Sequence, residues 1–348
     1  MPAKVTATFI RPQVVDALRL AQAPKVVPII QLPVERNLIL AFRPGWQSLE
    51  DWQKLAYHVT DIDPRIEAFV VHADMRGSYT RKKAAERPTL CFCSGRLGRF
   101  RPLRGKIYNG RQIPKLQQLE MMAAKGVSVP KTALLTPELK LDPAEWGEFV
   151  IVKPTDLMTS SYGHGINLMR TERVRYKAPE EYPEGHPGRR GPMVVQQFIN
   201  TGERISLYRV LTLFGAPLYS QLMRSAEKRV DLTADDETIE SAVVATQALE
   251  IEKDFVIEPD VIALAKAADA AIPDVPQKGI DIIRDANTGK IYVLEVNPGG
   301  NTWHFSSRYL EEIRASNGPE FEKRRRDQFD AFRTAAKALV AKTNAEAE

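Results

Sequence analysis

The chain is poor in cysteine, with two in 348 residues, and poor in histidine, with five. Both cysteines fall in "CFC", at Cys91 and Cys93. Two residues apart on a strand share a face, so the pair reads as two small buried hydrophobes. With no third cysteine and no histidine nearby, neither a disulfide nor a metal knuckle is expected there. Long apolar runs are also lacking, and none approaches the roughly 20 residues that span a bilayer. The opening "MPAKVTATFIRPQVVDALRLAQAP" has no apolar core of the kind a secretory signal carries. Its Arg and Lys are those of a transit peptide, but Asp16 and the scattered prolines argue otherwise. A cytoplasmic protein is the expectation.

What is present is an ordinary globular composition, 43% hydrophobic and 27% charged, in a chain long enough for two or three domains. The net charge of +5 is unevenly spread. From Arg76 to Arg111 ("RGSYTRKKAAERPTLCFCSGRLGRFRPLRGKIYNGR") the only acid is Glu86. Such a stretch suits a nucleic-acid surface, a cleft for small anions, or a solvated face. No nucleic-acid motif accompanies it, so nucleic acid is not the expected partner. Arg96, Arg99, Arg101 and Arg104 are candidates to hold an anionic substrate.

Residues 1–36 have scattered prolines and little periodicity and read as an extension. "NLILAF" (37–42) predicts a strand, and "SLEDWQKLAYHV" (48–59) a helix capped by Ser48, with Leu49, Trp52, Leu55, Ala56 and Val59 on its buried stripe. "IEAFVVH" and "TLCFCS" add two strands, so residues 37–112 form a small parallel α/β domain. A helix follows from Pro114 to a Gly126 cap, its stripe made by Leu116, Leu119 and Met122 or Ala123. "FVIVKPTD" (149–156) is a strand carrying Lys153, and "TSSYGHG" is a Ser/Gly loop. "MVVQQFI", "SLYRVLTLFG" and "PLYSQLMRS" are three strands, the last two joined at Gly215-Ala216. "EPDVIALAKAADAAI" is an amphipathic helix, and "RRRDQFDAFRTAAKALVAKT" a docked one using Phe329, Phe332, Ala336 and Leu339. No internal repeat is evident. The chain divides into the extension (1–36), the α/β domain (37–112), a first lobe (113–192), a second lobe (193–310) and a helical tail (311–348).

"GIDIIRDANTGKIYVLEVN" (279–297) is a hairpin around Asn-Thr-Gly. Without a bulge, parity sends Ile280, Ile282, Tyr292, Leu294 and Val296 to the core and Asp281, Glu295 and Asn297 to the opposite face. Asp281 then lies directly across from Glu295 or on its diagonal, with Cβ atoms roughly 5–8 Å apart. Two carboxylates and an amide oxygen on one face are costly unless something positive sits among them. A hard cation fits, Mg²⁺ with phosphate ligands best. A solvent-facing polar alternation is the other reading of the hairpin alone.

Taken together, residues 113–310 resemble the ATP-grasp carboxylate–amine ligases, in the branch of D-alanine–D-alanine ligase, glutathione synthetase and the ribosomal-protein glutamate ligases. The match rests on Lys115 at a helix start and Lys153 in "VKP". It also rests on the Ser/Gly loop with Ser160, Ser161, Gly163 and Gly165, on "VVQQFINTGERISLYRV", and on the Asp281, Glu295 and Asn297 triad. The resemblance implies an α/β (α+β) protein, with a parallel N-terminal domain followed by a two-lobed ATP-grasp domain of mixed and antiparallel sheets. It implies that Lys115 and Lys153 meet ATP phosphate, that the loop wraps phosphates, and that His164 is placed to donate to them. Gln197 and Ile199 would offer backbone groups to adenine, and Glu203 would accept from ribose. Arg209 and Arg224 would act on the phosphoryl group or acyl phosphate, with Arg224 the better candidate. The triad would hold Mg²⁺, or Mn²⁺ in its place. Many relatives have Glu where this chain has Gln196, and many follow the triad with a Ser/Pro/Gly loop where this chain has "PGGNTWHFSSRY". The second difference leaves the second substrate open.

The chemistry implied is ADP-forming: a small-molecule or peptide carboxylate is phosphorylated and an amine displaces the phosphate. An alternative keeps the fold as a nucleotide-binding or regulatory protein without ligation. Many such relatives are homodimers, although no residue here specifies an oligomeric state.

Overall fold

The computed structural model describes residues 32–76, 79–155, 165–244, 250–299, 303–306 and 310–348. Its compact unit runs from Pro33 to Glu348. Three sheets make up this unit, one parallel and two antiparallel, as the α/β expectation required.

The first sheet holds β1 (Arg36–Phe42), β2 (Ile66–His72), β3 (Thr89–Cys93) and β4 (Lys106–Asn109) in the order β2-β1-β3-β4. Its central strand is apolar on both faces, the pattern of a covered parallel strand. Leu38 and Leu40 enter one core, while Ile39 and Ala41 join Cys91 and Cys93 in another. Both cysteines are free and buried, and burial pushes the Cys93 thiol up to about 12. Helix α1 (Leu49–Ile62) starts where expected, with Ser48 Oγ accepting from the Asp51 amide at 3.1 Å. Trp52, Leu55 and Val59 are buried, but Leu49, at the first helical position, is 46% exposed. A short helix, α2 (Tyr79–Lys83), precedes β3. From β1 the chain lays β2 on one side, then crosses to lay β3 and β4 on the other.

Helix α3 (Lys115–Ala123) leads to β5 (Thr132–Leu134), helix α4 (Pro143–Trp146), β6 (Phe149–Pro154), β7 (Asn167–Arg170) and β8 (Met193–Gln197). The second sheet runs β5-β8-β6-β7. The Met193 run, grouped by sequence with the second lobe, therefore pairs between β5 and β6. The third sheet runs β11-β10-β9-β12-β13. Its strands are β9 (Ser206–Leu213), β10 (Ala216–Ser225), β11 (Ile251–Phe255), β12 (Gln277–Arg284) and β13 (Ile291–Pro298). Helices α5 (Asp236–Ser241) and α6 (Pro259–Ala271) lie between these strands in the chain, and α6 packs on one face of the sheet.

The β9–β10 turn is centred on Phe214 and Gly215, one residue earlier than expected. Their φ values of +48° and +82° are those of a primed hairpin turn. Phe214 tolerates this conformation while its ring packs on Phe92 and Tyr108, with centroids 6.1 and 5.1 Å away. The C-terminal segment is not one helix: α7 (Leu310–Asp327), itself broken at Gly318, where φ is +75°, is followed by α8 (Ala331–Glu346). Phe329 falls in the break, which Asp330 makes with φ +46°. Helix α8 docks as predicted, burying Ala335, Ala336 and Leu339 in the core it shares with α1 and β1. Among the described residues, no helix is long and apolar enough to cross a membrane.

Candidate functional site

The β12–β13 hairpin pairs Asp281 directly with Glu295, and Asn297 follows two residues on. A bulge after Asp281 then moves the register, so Ile282 meets Val293 and Ile283 meets Tyr292. This corrects the simple parity expectation. Val293, an odd position, is fully buried beside Ile280, Ile282 and Val296. Tyr292 and Leu294 turn to the other face and pack with Ile199, Leu207 and Ile283. A bulge places two residues against one, which is how Leu294 and Glu295 both reach the site face.

The acids do not stand alone. Arg209 lies across from Asp281 on β9 and grips it with two bonds, Nε to Oδ1 at 2.7 Å and Nη2 to Oδ2 at 2.6 Å. Lys115 Nζ is 2.7 Å from Glu295 Oε2. Asn297 Nδ2 donates to both acids, at 3.0 Å to Asp281 and 3.3 Å to Glu295. Side-chain exposures of 4% for Asp281, 17% for Arg209, 19% for Glu295 and 13% for Lys115 describe a group shielded from water but not sealed. Burial raises the Asp281 carboxyl against the pull of Arg209. Burial works the same way on Glu295, but Lys115, with Lys153 and Arg209, outweighs it and holds that carboxyl at about 2.

Each cation is set by its own element. Pro114 opens α3 and puts Lys115 in its first turn. Gln118, 1% exposed, ties that helix to the hairpin: its Oε1 accepts from the Val296 amide at 2.9 Å and its Nε2 donates to Ile113 O at 2.8 Å. Lys153, one residue before the end of β6, is 6% exposed and donates to Gln196 Oε1 on the neighbouring β8 at 2.8 Å. Gln196 in turn donates to Thr132 Oγ1 at 2.9 Å. Burial, with the nearby Lys115, pulls Lys153 down to about 8, and Glu295 opposes the shift.

These groups sit at one end of a cleft between the second and third sheets. Lys115, Lys153, Arg209, Asp281 and Glu295 line that end. Ile151, Leu168, Ile199, Leu207 and Ile283 make the rest largely apolar, and Gln197 and Phe198 also line it. Gln197 and Ile199 thus line the cleft. Glu203 does not: its side chain is 78% exposed and pairs with Lys228 at 3.0 Å. Arg224 is also elsewhere. In the β9–β10 register Arg209 faces Gln221, so the even-numbered Arg224 falls on the opposite face with Leu222 and Tyr208. There it is 43% exposed and 3.9 Å from Asp254. Ser160, Ser161, Gly163 and His164 lie outside the described residues. Gly165 has φ +72°, and a Cβ there would stand 2.7 Å from Pro187 Cγ. The sequence reading missed Gln118, whose signal was a glutamine within the apolar stripe of α3.

Asp281, Glu295 and Asn297 are oxygen donors suited to a hard divalent cation. The Asn297 amide nitrogen now bridges the two carboxylates, and turning that amide over would offer its oxygen instead. Lys115 and Arg209 meanwhile supply the positive charge the acids need. The residues fit such a cation. Among the described residues no trio of His, Cys, Asp or Glu converges as a metal site, and here the third donor is an amide.

A second cavity, of about 570 Å³, opens at the carboxyl ends of the parallel strands. Arg43, Arg96 and Arg111 line it, and Pro298, the residue after Asn297, forms part of its wall. Of the four arginines singled out by charge, Arg96 alone is in this lining. Arg101 instead donates to the Gly98 and Phe100 carbonyls, and Arg99 and Arg104 are exposed.

No protein-family model and no curated protein matches the chain. Solved structures do. An ATP-grasp ligase, PsnB, solved with a minimal precursor, aligns over 88% of this chain and 99% of its own, at 16% identity and a TM-score of 0.47. The D-cycloserine synthetase DcsG aligns over 88% and 99%, at 15% identity and a TM-score of 0.47. A D-alanine–D-alanine ligase from Bacillus anthracis aligns over 89% and 97%, at 14% identity and a TM-score of 0.41. The chain is similar to these three solved structures over most of its length, at low identity.

Proposed function

We propose that this protein is an ATP-grasp carboxylate–amine ligase, which activates a carboxylate with ATP and joins it to an amine. One observation carries the reading: Asp281 and Glu295 face each other beside Asn297, ringed by Lys115, Lys153 and Arg209, at the end of an apolar cleft. The apolar end suits a nucleobase, with backbone at Gln197 and Ile199 to read its edge. The charged end suits its phosphates. About 180 Å³ of the cleft is open, below the roughly 300–1,000 Å³ of most ligand sites, so nucleotide binding widens it.

In the first step a carboxylate oxygen attacks the γ-phosphorus, the β–γ bridging P–O bond breaks, and ADP leaves. In the second, the amine nitrogen attacks the acyl carbon, the C–O bond to phosphate breaks, and the amine proton is lost. Lys115 and Lys153 act as point charges on the phosphates. Arg209, already aligned by Asp281, presents its guanidinium to the transferring group. A divalent cation, when bound, would be held by Asp281, Glu295 and Asn297 and would supply neutralisation of phosphate charge. The chain contributes mainly position and preorganised charge.

The test is ADP release by the purified protein with Mg²⁺ and ATP, over pools of amino acids, dipeptides and small carboxylic acids, with Glu295→Gln in parallel. Release that needs one pool and is lost in Glu295→Gln supports ligation. ATP binding without release in any pool, and no amide product, would refute it.

A further inference from the structure

The first sheet ends in a feature that phosphate chemistry leaves unused. Strand order reverses between β1 and β3, and open α/β sheets bind ligands in the crevice at such a point, beyond the carboxyl ends of the strands. The second cavity occupies that crevice. Arg43 directly follows β1, while Arg96 and Arg111 lie just past β3 and β4. Among the described residues its lining holds these three cations and no carboxylate. Arg111 does pair with Asp274 at 3.0 Å, but with side-chain exposures of 54% and 68% that pair is weak and easily exchanged. Arg43 lies 5.5 Å from the Trp46 ring centroid, and its Nε is buried with no hydrogen-bond partner among the described residues. A buried donor without an acceptor is costly, and an anion would satisfy it.

The cavity is joined to the triad through backbone. A Cβ at Gly110 would stand 2.7 Å from Ser94 O, and one at Gly299 2.6 Å from the same atom. Only glycines allow β13 to exit against the ends of β3 and β4 this closely. Pro298 thereby enters the cavity wall one residue beyond Asn297, about 3.4 Å of strand rise.

We propose that this cavity binds one substrate of the ligation through an anionic group, carboxylate or phosphate, that is separate from the group that reacts. The substrate is then a compact acid with at least two anionic groups, one held by Arg43 and Arg96 and the other reaching the triad. The volume suits a small molecule. The proposal rests on the ligase reading.

The test is a titration of the full-length protein, loaded with Mg²⁺ and a non-hydrolysable ATP analogue, with succinate, inorganic phosphate and acetate. Arg43→Gln, Arg96→Gln and the exposed control Arg99→Gln are titrated in parallel. Succinate or phosphate is expected to bind at least tenfold more tightly than acetate. Arg43→Gln and Arg96→Gln should each lose at least tenfold, with analogue affinity and Arg99→Gln unchanged. Tighter binding of succinate assigns a dicarboxylate, and tighter binding of phosphate a phosphorylated acid. Should Arg43→Gln fail to fold, the exposed Arg96→Gln decides alone. If neither anion outbinds acetate, or Arg96→Gln binds like wild type, the proposal is overturned while the ligase reading stands. If wild type binds no nucleotide analogue, the ligase reading fails and the substrate assignment falls with it, even where anions bind.

Discussion

Lys153 offers a quantitative check on the site. Its ammonium is buried, 2.8 Å from a neutral amide, and burial with Lys115 lowers it to about 8. If ATP phosphate binds the charged form, affinity is full below this value and falls as pH rises through it. By pH 9 only about a tenth of Lys153 stays charged, so the dissociation constant rises about tenfold from its low-pH limit, ~1.4 kcal/mol. Gln196→Glu places a carboxylate where the amide oxygen is, and an opposite charge that close raises a pKa by about 1–3 units. The alkaline limb should then move to about 9–11, leaving pH 9 binding within about twofold of its own low-pH value. The added negative charge weakens ATP binding at every pH, so the limb's position and not the absolute affinity is the readout. Titration of a non-hydrolysable ATP analogue with Mg²⁺ from about pH 6.5 to about pH 10 measures it, with Lys153→Met as a control whose profile lacks the limb. Superimposable limbs in wild type and Gln196→Glu would refute the placement of Lys153 against phosphate, as would a flat wild-type profile.

Other outcomes follow from the same geometry. The unfolded chain keeps a lysine proton to the ordinary value of 10.5, so between about 8 and 10.5 it binds more protons than the folded apo-protein. Apo stability should therefore rise with pH across that window by up to about 3 kcal/mol, a gain absent in Lys153→Met and measurable as urea midpoints. Asp281→Asn strands the Arg209 guanidinium and should cost about 3–5 kcal/mol of stability, seen as a large fall in melting temperature. Arg209→Gln should lower ATP-dependent turnover by at least about a hundredfold, while Arg224→Gln, on the other face of the sheet, stays within about threefold; equal losses in steady-state assays would contradict the register. Gln118→Ala frees the Val296 amide and the Ile113 carbonyl, costing about 1–3 kcal/mol, and should weaken nucleotide binding through Lys115, an effect direct titration separates from stability.

Much of this was readable along the chain because the signals are local. The apolar runs of β1 to β3, the Ser48 cap, the Asn-Thr-Gly turn and the spacing of Asp281, Glu295 and Asn297 each depend on neighbours within a few residues, and period and turn chemistry govern those. Lys115 and Lys153, far apart in sequence, were singled out by the family resemblance, which places such lysines at a helix start and near a strand end. What only the tertiary structure decided depended on pairing register and on which elements meet. A one-residue bulge sent Val293 inward and brought Leu294 to the cleft, and no composition rule anticipates it. Register on β9–β10 chose Arg209 over Arg224, because adjacent parities on a strand point to opposite faces. Charge density singled out four arginines in one stretch, yet the cavity took Arg96 and drew Arg43 from the end of another strand. Side-chain types and local periods write the elements into the sequence. Which charges share a space is set by the packing of one sheet's ends against another's, a long-range outcome that no short window of residues contains.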